Sequence, residues 1–460
     1  MGTRVRHAGP GRDDCMTTWD WILIALTVAG VGVLVGMVTW ARLNAFLALL
    51  AAGLVVGLGA GQPMMGVAKA FQEGMGSTLG GVAGVICLGT MLGKLLAESR
   101  GAEVLAKQFA RFFGPRRIGW CIMALALTIG LTTWFAVGLI LLAPILHTLT
   151  RETKRPFLHL ALPLLACLSV MHGLMPPHPG PVMAINALHA NQGLVLLWGL
   201  ALGVPVAIIA GPIFARLTDK RIALTTDTVP PPPPHPGARP PGFGLTLVSM
   251  LLPVGLMLLA TLADLTMSGG RLRGLADFAG NPTVALFIAV LFAHWSLGVH
   301  CGFGTSQLLK FSDESVCAVG MTILIVGGGG GFARVLQTSG AADAMGAMAA
   351  AAHLPPLLYC WMVAAFIRVA TGSATVSITA ASAVMAPVLA AHPGVNKELA
   401  VISIGCGSLF LSHLNDGGFW IVKDCLNLTV AQTFRTWSAC ETIIGLAGLA
   451  LTLLASVLVR

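Results

Sequence analysis

Charge is what this 460-residue sequence has least of. Asp, Glu, Lys and Arg together make up 10% of it, against about 25% in an average soluble domain. Apolar residues reach 56% and the mean hydropathy is +0.85. An ordinary soluble enzyme and a disordered chain are both excluded by that balance. Paired cysteines are also lacking. The ten cysteines are scattered singly, with no CxxC pair, which excludes a disulfide scaffold and leaves most of them as small packing residues. Strand-like alternation is missing as well. Its place is taken by long unbroken apolar runs, so a β-barrel is excluded. What remains is an all-α polytopic membrane protein. The 56 glycines fit, because glycine lets membrane helices approach closely.

The net charge of +9 points to membrane topology rather than to nucleic acid, because the basic residues sit mostly between apolar segments. A cleavable leader pattern is absent. Residues 1–18 are polar, and the apolar run Trp21–Thr39 is long enough to span, so it is expected to stay in the mature protein. Met16 is a second candidate start, with 1–15 as a leader.

A span takes about 20 apolar residues. Full-length candidates are 21–39, 43–60, 79–98, 157–175, 194–216, 243–265, 282–300, 315–337, 397–413 and 437–458. Two longer runs, 118–147 and 357–391, are interrupted by GLTTW (130–134) and TGSAT (371–375). Each is expected to form a re-entrant hairpin, since irregular backbone at membrane depth is tolerated only against protein or a cavity. Between the halves, TVPPPPPHPGARPPG (228–242) cannot belong to a span. The domain plan is therefore a polar segment 1–20, a first repeat 21–216, a linker 217–242 and a second repeat 243–460.

The halves repeat. GTMLGKLLAESRGA (89–102) matches GGGGFARVLQTSGA (328–341), Pro144 matches Pro387, and His172 matches His413, at offsets of 239, 243 and 241. Five spans and a hairpin per half make the second repeat inverted relative to the first. Lys107, Arg111, Arg116, Arg117, Arg151, Lys154, Arg155, Arg216, Lys220 and Arg221 would then face the cytoplasm. Inverted repeats with interrupted helices are the plan of secondary transporters, which bind substrate and ion where the helix halves end near the midplane.

Two breaks carry the chemistry. PPHPGP (176–181) has four prolines in six residues, which no continuous helix survives. HLNDGGF (413–419) occupies the matching place in the second half, with Gly417 and Gly418 permitting the unwinding. Ionisable groups inside a membrane are functional candidates by default. His172, His413 and Asp416 are the candidate proton carriers, because a histidine titrates near neutral pH and a desolvated carboxyl can. Arg368, three residues before the TGSAT turn, is the candidate for pairing with a substrate carboxylate. Ser373, Thr375, Thr132, Thr133, His178 and Asn415 complete the candidate substrate site. Lys94 and Arg334 fit charges that snorkel to the interface. GGGGG (327–331) lacks the GK[ST] of a phosphate loop, so close helix packing, or backbone next to a cavity, is expected there. No metal or cofactor is implied.

At these motifs the chain resembles the gluconate permease family of bacterial proton symporters. The residues that carry the likeness are GMGSTLGG (74–81), MLGKLLAESRGA (91–102), SVMHGLMPPHPGP (169–181), GSATVSITAA (372–381), SHLNDGGFWIVKDCLNLT (412–429) and WSACETI (437–443). The resemblance implies inner-membrane uptake of gluconate or a related sugar acid with protons. It also implies elevator-like motion, a homodimer, and relatives that carry other small carboxylates such as D-serine. One departure stands out. Where the family usually has an acidic residue in the first hairpin, this chain has Ala136, between Phe135 and Val137. Coupling to sodium, or exchange, therefore remains an alternative to proton symport. An intramembrane enzyme built on a His and an Asp is the alternative from another class, and the doubled histidine position speaks against it.

Overall fold

The computed structural model describes residues 16–131, 133–218, 239–351, 355–390, 392–414 and 416–459. Among them every regular element is a helix. The first half runs α1 (Thr18–Thr39), α2 (Ala45–Gly59), α3 (Met64–Glu98), α4 (Gly101–Phe113), α5 (Ile118–Gly130), α6 (Phe135–Thr153), α7 (Leu158–Leu174) and α8 (Pro179–Leu188). It ends with α9 (Gln192–Leu217), which contains a π-helical turn. The second half runs α10 (Phe243–Thr266), α11 (Arg271–Gly280), α12 (Pro282–Cys301), α13 (Thr305–Thr338), α14 (Ala341–Ala351), α15 (Pro356–Thr371), α16 (Ala374–Ala390), α17 (Lys397–Leu409), α18 (Gly417–Cys425) and α19 (Val430–Leu458). Eight helical stretches among the described residues are long and apolar enough to cross a membrane.

The order of elements recurs. The first half has two helices and the second three, and each then has one of more than thirty residues (α3, α13), a short helix, two helices separated by a break, two half-helices and a last long helix. The caps give a slightly different register from the sequence match. Arg100 and Gly340, both with positive φ, precede α4 and α14, and His178 and Asp416 cap α8 and α18. Structurally, then, His178 holds the place of Asp416.

Four expected spans differ. The 43–60 run forms α2, which at 15 residues is shorter than a span. The α3 and α13 helices begin at Met64 and Thr305 rather than at 79 and 315, because the polar residues Gln72 and Glu73, and Ser312, Asp313 and Glu314, continue each helix rather than forming loops. The 397–413 segment is not a span. Helix α17 stops at Leu409, Phe410 is extended, and Leu411 has φ 49°. The last three described residues of the 217–242 linker turn directly into α10, and 219–238 lie outside the described residues.

Helices α3 and α13 meet through glycine. A Cβ on Gly74 would fall 2.3 Å from the Gly330 carbonyl oxygen, so the two backbones touch. The GGGGG run lies inside α13 and is buried, as its composition suggests. Gly329 lies against Thr379 of α16 and Gly331 against Phe71 of α3. The nine described cysteines are all unpaired.

Candidate functional site

The first break forms where the sequence forbids a helix. Helix α7 ends at Leu174; Met175 is extended, and α8 restarts with Pro179 in its first position, where the missing N–H costs nothing. In the second half, the Asp416 carboxylate accepts from the Gly418 N–H at 2.8 Å and caps α18, satisfying one of the free donors of that helix end. The hairpin interruptions are also breaks. Gly372 (φ 72°) ends α15 through its N–H to the Arg368 carbonyl, at 2.8 Å. Ser373 then accepts from the Val376 N–H at 3.3 Å.

These ends converge on one guanidinium. Arg368 is 3% exposed. Its Nη1 donates to the Gly372 carbonyl at 2.6 Å and its Nη2 to Asp416 Oδ2 at 2.5 Å. The same Nη2 lies 3.9 Å from Glu441 Oε2, and the Nε has no partner. Asp416 is 8% exposed and Glu441 1%. Ser169 of α7 donates to Glu441, and Ser412 donates to Asp416. Trp437 Nε1 donates to the Ser412 hydroxyl at 2.7 Å, while its indole packs on Phe135, with centroids 4.9 Å apart. Phe135 opens α6, so the first hairpin's break reaches the same place.

The histidines lie at the breaks themselves. His178 is 3% exposed, with Nε2 2.6 Å from the Gly130 carbonyl. A carbonyl only accepts, so that nitrogen carries the proton. The His172 ring sits edge-on to His178 at 5.4 Å, faces Trp134 at 6.3 Å, and interacts electrostatically with Arg368. Its Nδ1 is buried without a partner. His413 is only part-buried and donates from Nε2 to the Val369 carbonyl at 2.9 Å, tying the second break to the end of α15.

Of the residues singled out in the sequence, Arg368, His172, His178, His413, Asp416 and Ser373 share this region. Thr375 is half-buried in the first turn of α16. Thr133 is buried with an unpartnered hydroxyl. It lines a separate cavity of about 230 Å³ with Lys94 and Glu314, and Trp134 lies between that cavity and His172. Lys94 is not a snorkelling charge. It pairs with Glu98 at 2.7 Å and Glu314 at 2.9 Å, tying α3 to α13. Thr132 and Asn415 lie outside the described residues.

Four polar participants were not among the candidates: Glu441, Ser169, Ser412 and Trp437. Glu441 carried a signal, a carboxyl inside an apolar run. Its partner Ser169 stands 272 residues away, and no local pattern joins them. Trp437→Phe is expected to keep the packing on Phe135 and lose the bond to Ser412. The cost is about 1 kcal/mol, measured as a lower thermal midpoint of the purified protein.

The site is thus a buried cation between two carboxylates, at the ends of several broken helices. The family model for GntP family permeases matches residues 21–458. The chain belongs to the GntP family of permeases. Gluconate permeases from Pseudomonas aeruginosa and Zymomonas mobilis are 41% and 40% identical to it, covering 95% and 94% of this chain and 98% and 97% of theirs. A D-serine transporter from Escherichia coli is 33% identical over 95% of this chain and 99% of its own. Among solved structures, the YdaH transporter of Alcanivorax borkumensis shares the fold, with TM-score 0.63 and 14% identity over 94% of this chain and 97% of that one. This GntP permease is thus a multi-pass bacterial membrane transporter and not an enzyme. Its Ala136 lies half-buried in the first turn of α6, next to the Phe135 that packs on Trp437.

Proposed function

We propose that this permease imports gluconate or a related sugar acid together with protons, across the inner membrane and as a homodimer with inverted repeats. The observation that carries this reading is the charge balance around Arg368. One guanidinium faces two buried carboxylates, so the cluster is neutral only when one proton is bound. With Asp416 on Arg368, that proton sits on Glu441, beside Ser169. A substrate carboxylate arriving at Arg368, through its free Nε and the Nη2 that Asp416 holds, displaces Asp416. A displaced, buried Asp416 must take up a proton, because an unpaired carboxylate there is expensive. One negative charge enters with one proton.

The same balance answers the electrical problem. An anion entering an inside-negative cell works against roughly 2.3 kcal/mol per 100 mV. One proton cancels that cost and leaves the pH gradient as the drive. The charged and titratable groups facing the exchange are Arg368, Asp416, Glu441, His172 and His178. His172, with its bare Nδ1, is the proposed relay, and His413 holds the break in place. Ser373, Thr375, Thr132 and Asn415 are the proposed hydroxyl-binding groups for the polyol, with Thr133 reaching it only if the polyol passes Trp134 into the neighbouring cavity.

The test is uptake of labelled gluconate by intact cells at several external pH values. Each unit of outside acidity adds about 1.4 kcal/mol of drive, so accumulation is expected to rise steeply as pH falls and to collapse with a protonophore. Uptake indifferent to both overturns proton coupling. The alternative is a sodium-coupled or exchange carrier for another small carboxylate. It is favoured by the missing acid at Ala136 and by the D-serine transporter among the relatives, and sodium dependence with D-serine competition would decide for it.

A further inference from the structure

A second set of cations lies far along the helices from Arg368. Arg116 and Arg117 form the turn before α5, Arg155 the turn before α7, and Arg216 the last turn of α9. The chain separates them, yet the fold brings all four around one pocket of about 120 Å³, with Trp120 and His159. All four arginines are exposed, and no carboxylate is among the residues lining the pocket. Several basic side chains elsewhere are paired: Lys94 with Glu98 and Glu314, Arg100 with Glu103, Arg273 with Asp264.

An apolar groove of about 380 Å³ adjoins this pocket. Phe113, Arg117, Trp120, Met123, Ala124, Leu127 and Val204 line it. Arg117 and Trp120 border both spaces. Trp120, Met123, Ala124 and Leu127 follow each other at helical spacing along α5, so the groove runs down the helix from the arginines, as an acyl chain runs down from its headgroup. Tryptophan at the junction suits the depth where headgroup meets hydrocarbon.

We infer that this is a binding site for an anionic phospholipid of the cytoplasmic leaflet. The phosphate would lie among Arg116, Arg117, Arg155 and Arg216, with one acyl chain in the groove beside Trp120. Guanidinium suits phosphate by its planar fork of donors, and basic pockets between membrane helices on the cytoplasmic side select acidic headgroups. The site sits against α5, α7 and α9, which pack around the region holding Ser169 and the first break. It owes nothing to the identity of the transported substrate.

The experiment is native mass spectrometry of the purified full-length protein, exchanged into detergent with equimolar phosphatidylglycerol and phosphatidylcholine of matched chains. Wild type is expected to retain phosphatidylglycerol preferentially. Arg117→Gln combined with Arg155→Gln and Arg216→Gln is expected to lose that preference, at about fivefold per arginine removed. Lys69→Gln with Arg271→Gln removes charge elsewhere and is expected to leave it intact. Equal retention of the two lipids by wild type would overturn the inference. So would an equal loss in the Lys69/Arg271 pair. Displacement of the lipid by millimolar inorganic phosphate would also overturn it, because the groove would then contribute nothing.

Discussion

Arg368→Ala is expected to abolish uptake while sparing part of the folded protein. Among the described residues the guanidinium is the one cation in contact with both Asp416 and Glu441, and its removal leaves two buried carboxylates facing each other. Truncating one partner of a buried, hydrogen-bonded pair costs about 2–5 kcal/mol, so transport should fall by at least about thirtyfold on binding alone. Lysine is not an adequate replacement. Its ammonium can meet Asp416, but it lacks the fork that spans the Gly372 carbonyl, Asp416 and a substrate oxygen together. Fold and function are separable here. Arg368→Met with Asp416→Asn removes both charges, keeps an N-cap acceptor for Gly418, and returns much of the lost stability, yet it should stay inactive. Thermal midpoint and labelled gluconate uptake, measured on all three variants, check the pattern. Recovery of uptake in the double variant would contradict it.

Gly330→Val is expected to be the most damaging substitution away from the site. A Cβ at Gly330 would meet the Thr78 hydroxyl at 2.0 Å and the Gly74 carbonyl oxygen at 2.7 Å. The second of these is backbone and has nowhere to rotate, so α3 and α13 must separate. Overpacking of this kind costs about 3 kcal/mol or more, and these two helices hold much of the interior together. The expected result is loss of a monodisperse peak on size exclusion. The contrast lies within the same helix. Around Gly320 a Cβ would find nothing within 4 Å, so Gly320→Ala should be neutral or raise stability by up to about 1 kcal/mol, since glycine weakens a helix interior. A Gly330→Val protein as stable as Gly320→Ala would show that α3 and α13 do not depend on this contact.

The breaks were legible because proline and glycine act locally. Four prolines between 176 and 181 end a helix whatever surrounds them, and Asp416-Gly417-Gly418 announces a restart. The stop at Leu409 was not legible. Phe410 and Leu411 continue the apolar run, and the chain leaves the helix there without a glycine or proline. The polar residues inside α3 and α13 misled for the opposite reason: hydropathy marks where a helix enters lipid, not where it begins. Arg368 and Asp416 were each visible as charges in apolar surroundings. Their pairing was not, because they stand 48 residues apart and the sequence had assigned one to substrate and the other to protons. The place of Ser169 and Glu441 beside them follows from how α7, α15 and α19 cross, which only the tertiary structure shows.

The whole account rests on a sugar acid reaching Arg368. Determining the structure of the purified permease with gluconate bound tests this directly. The account expects the carboxylate within hydrogen-bonding distance of Arg368, with the Asp416 side chain moved off the guanidinium and the polyol lying between the two helix breaks. Gluconate found instead at the arginine pocket around Arg116 and Arg216, with the Arg368–Asp416 pair intact, would contradict it.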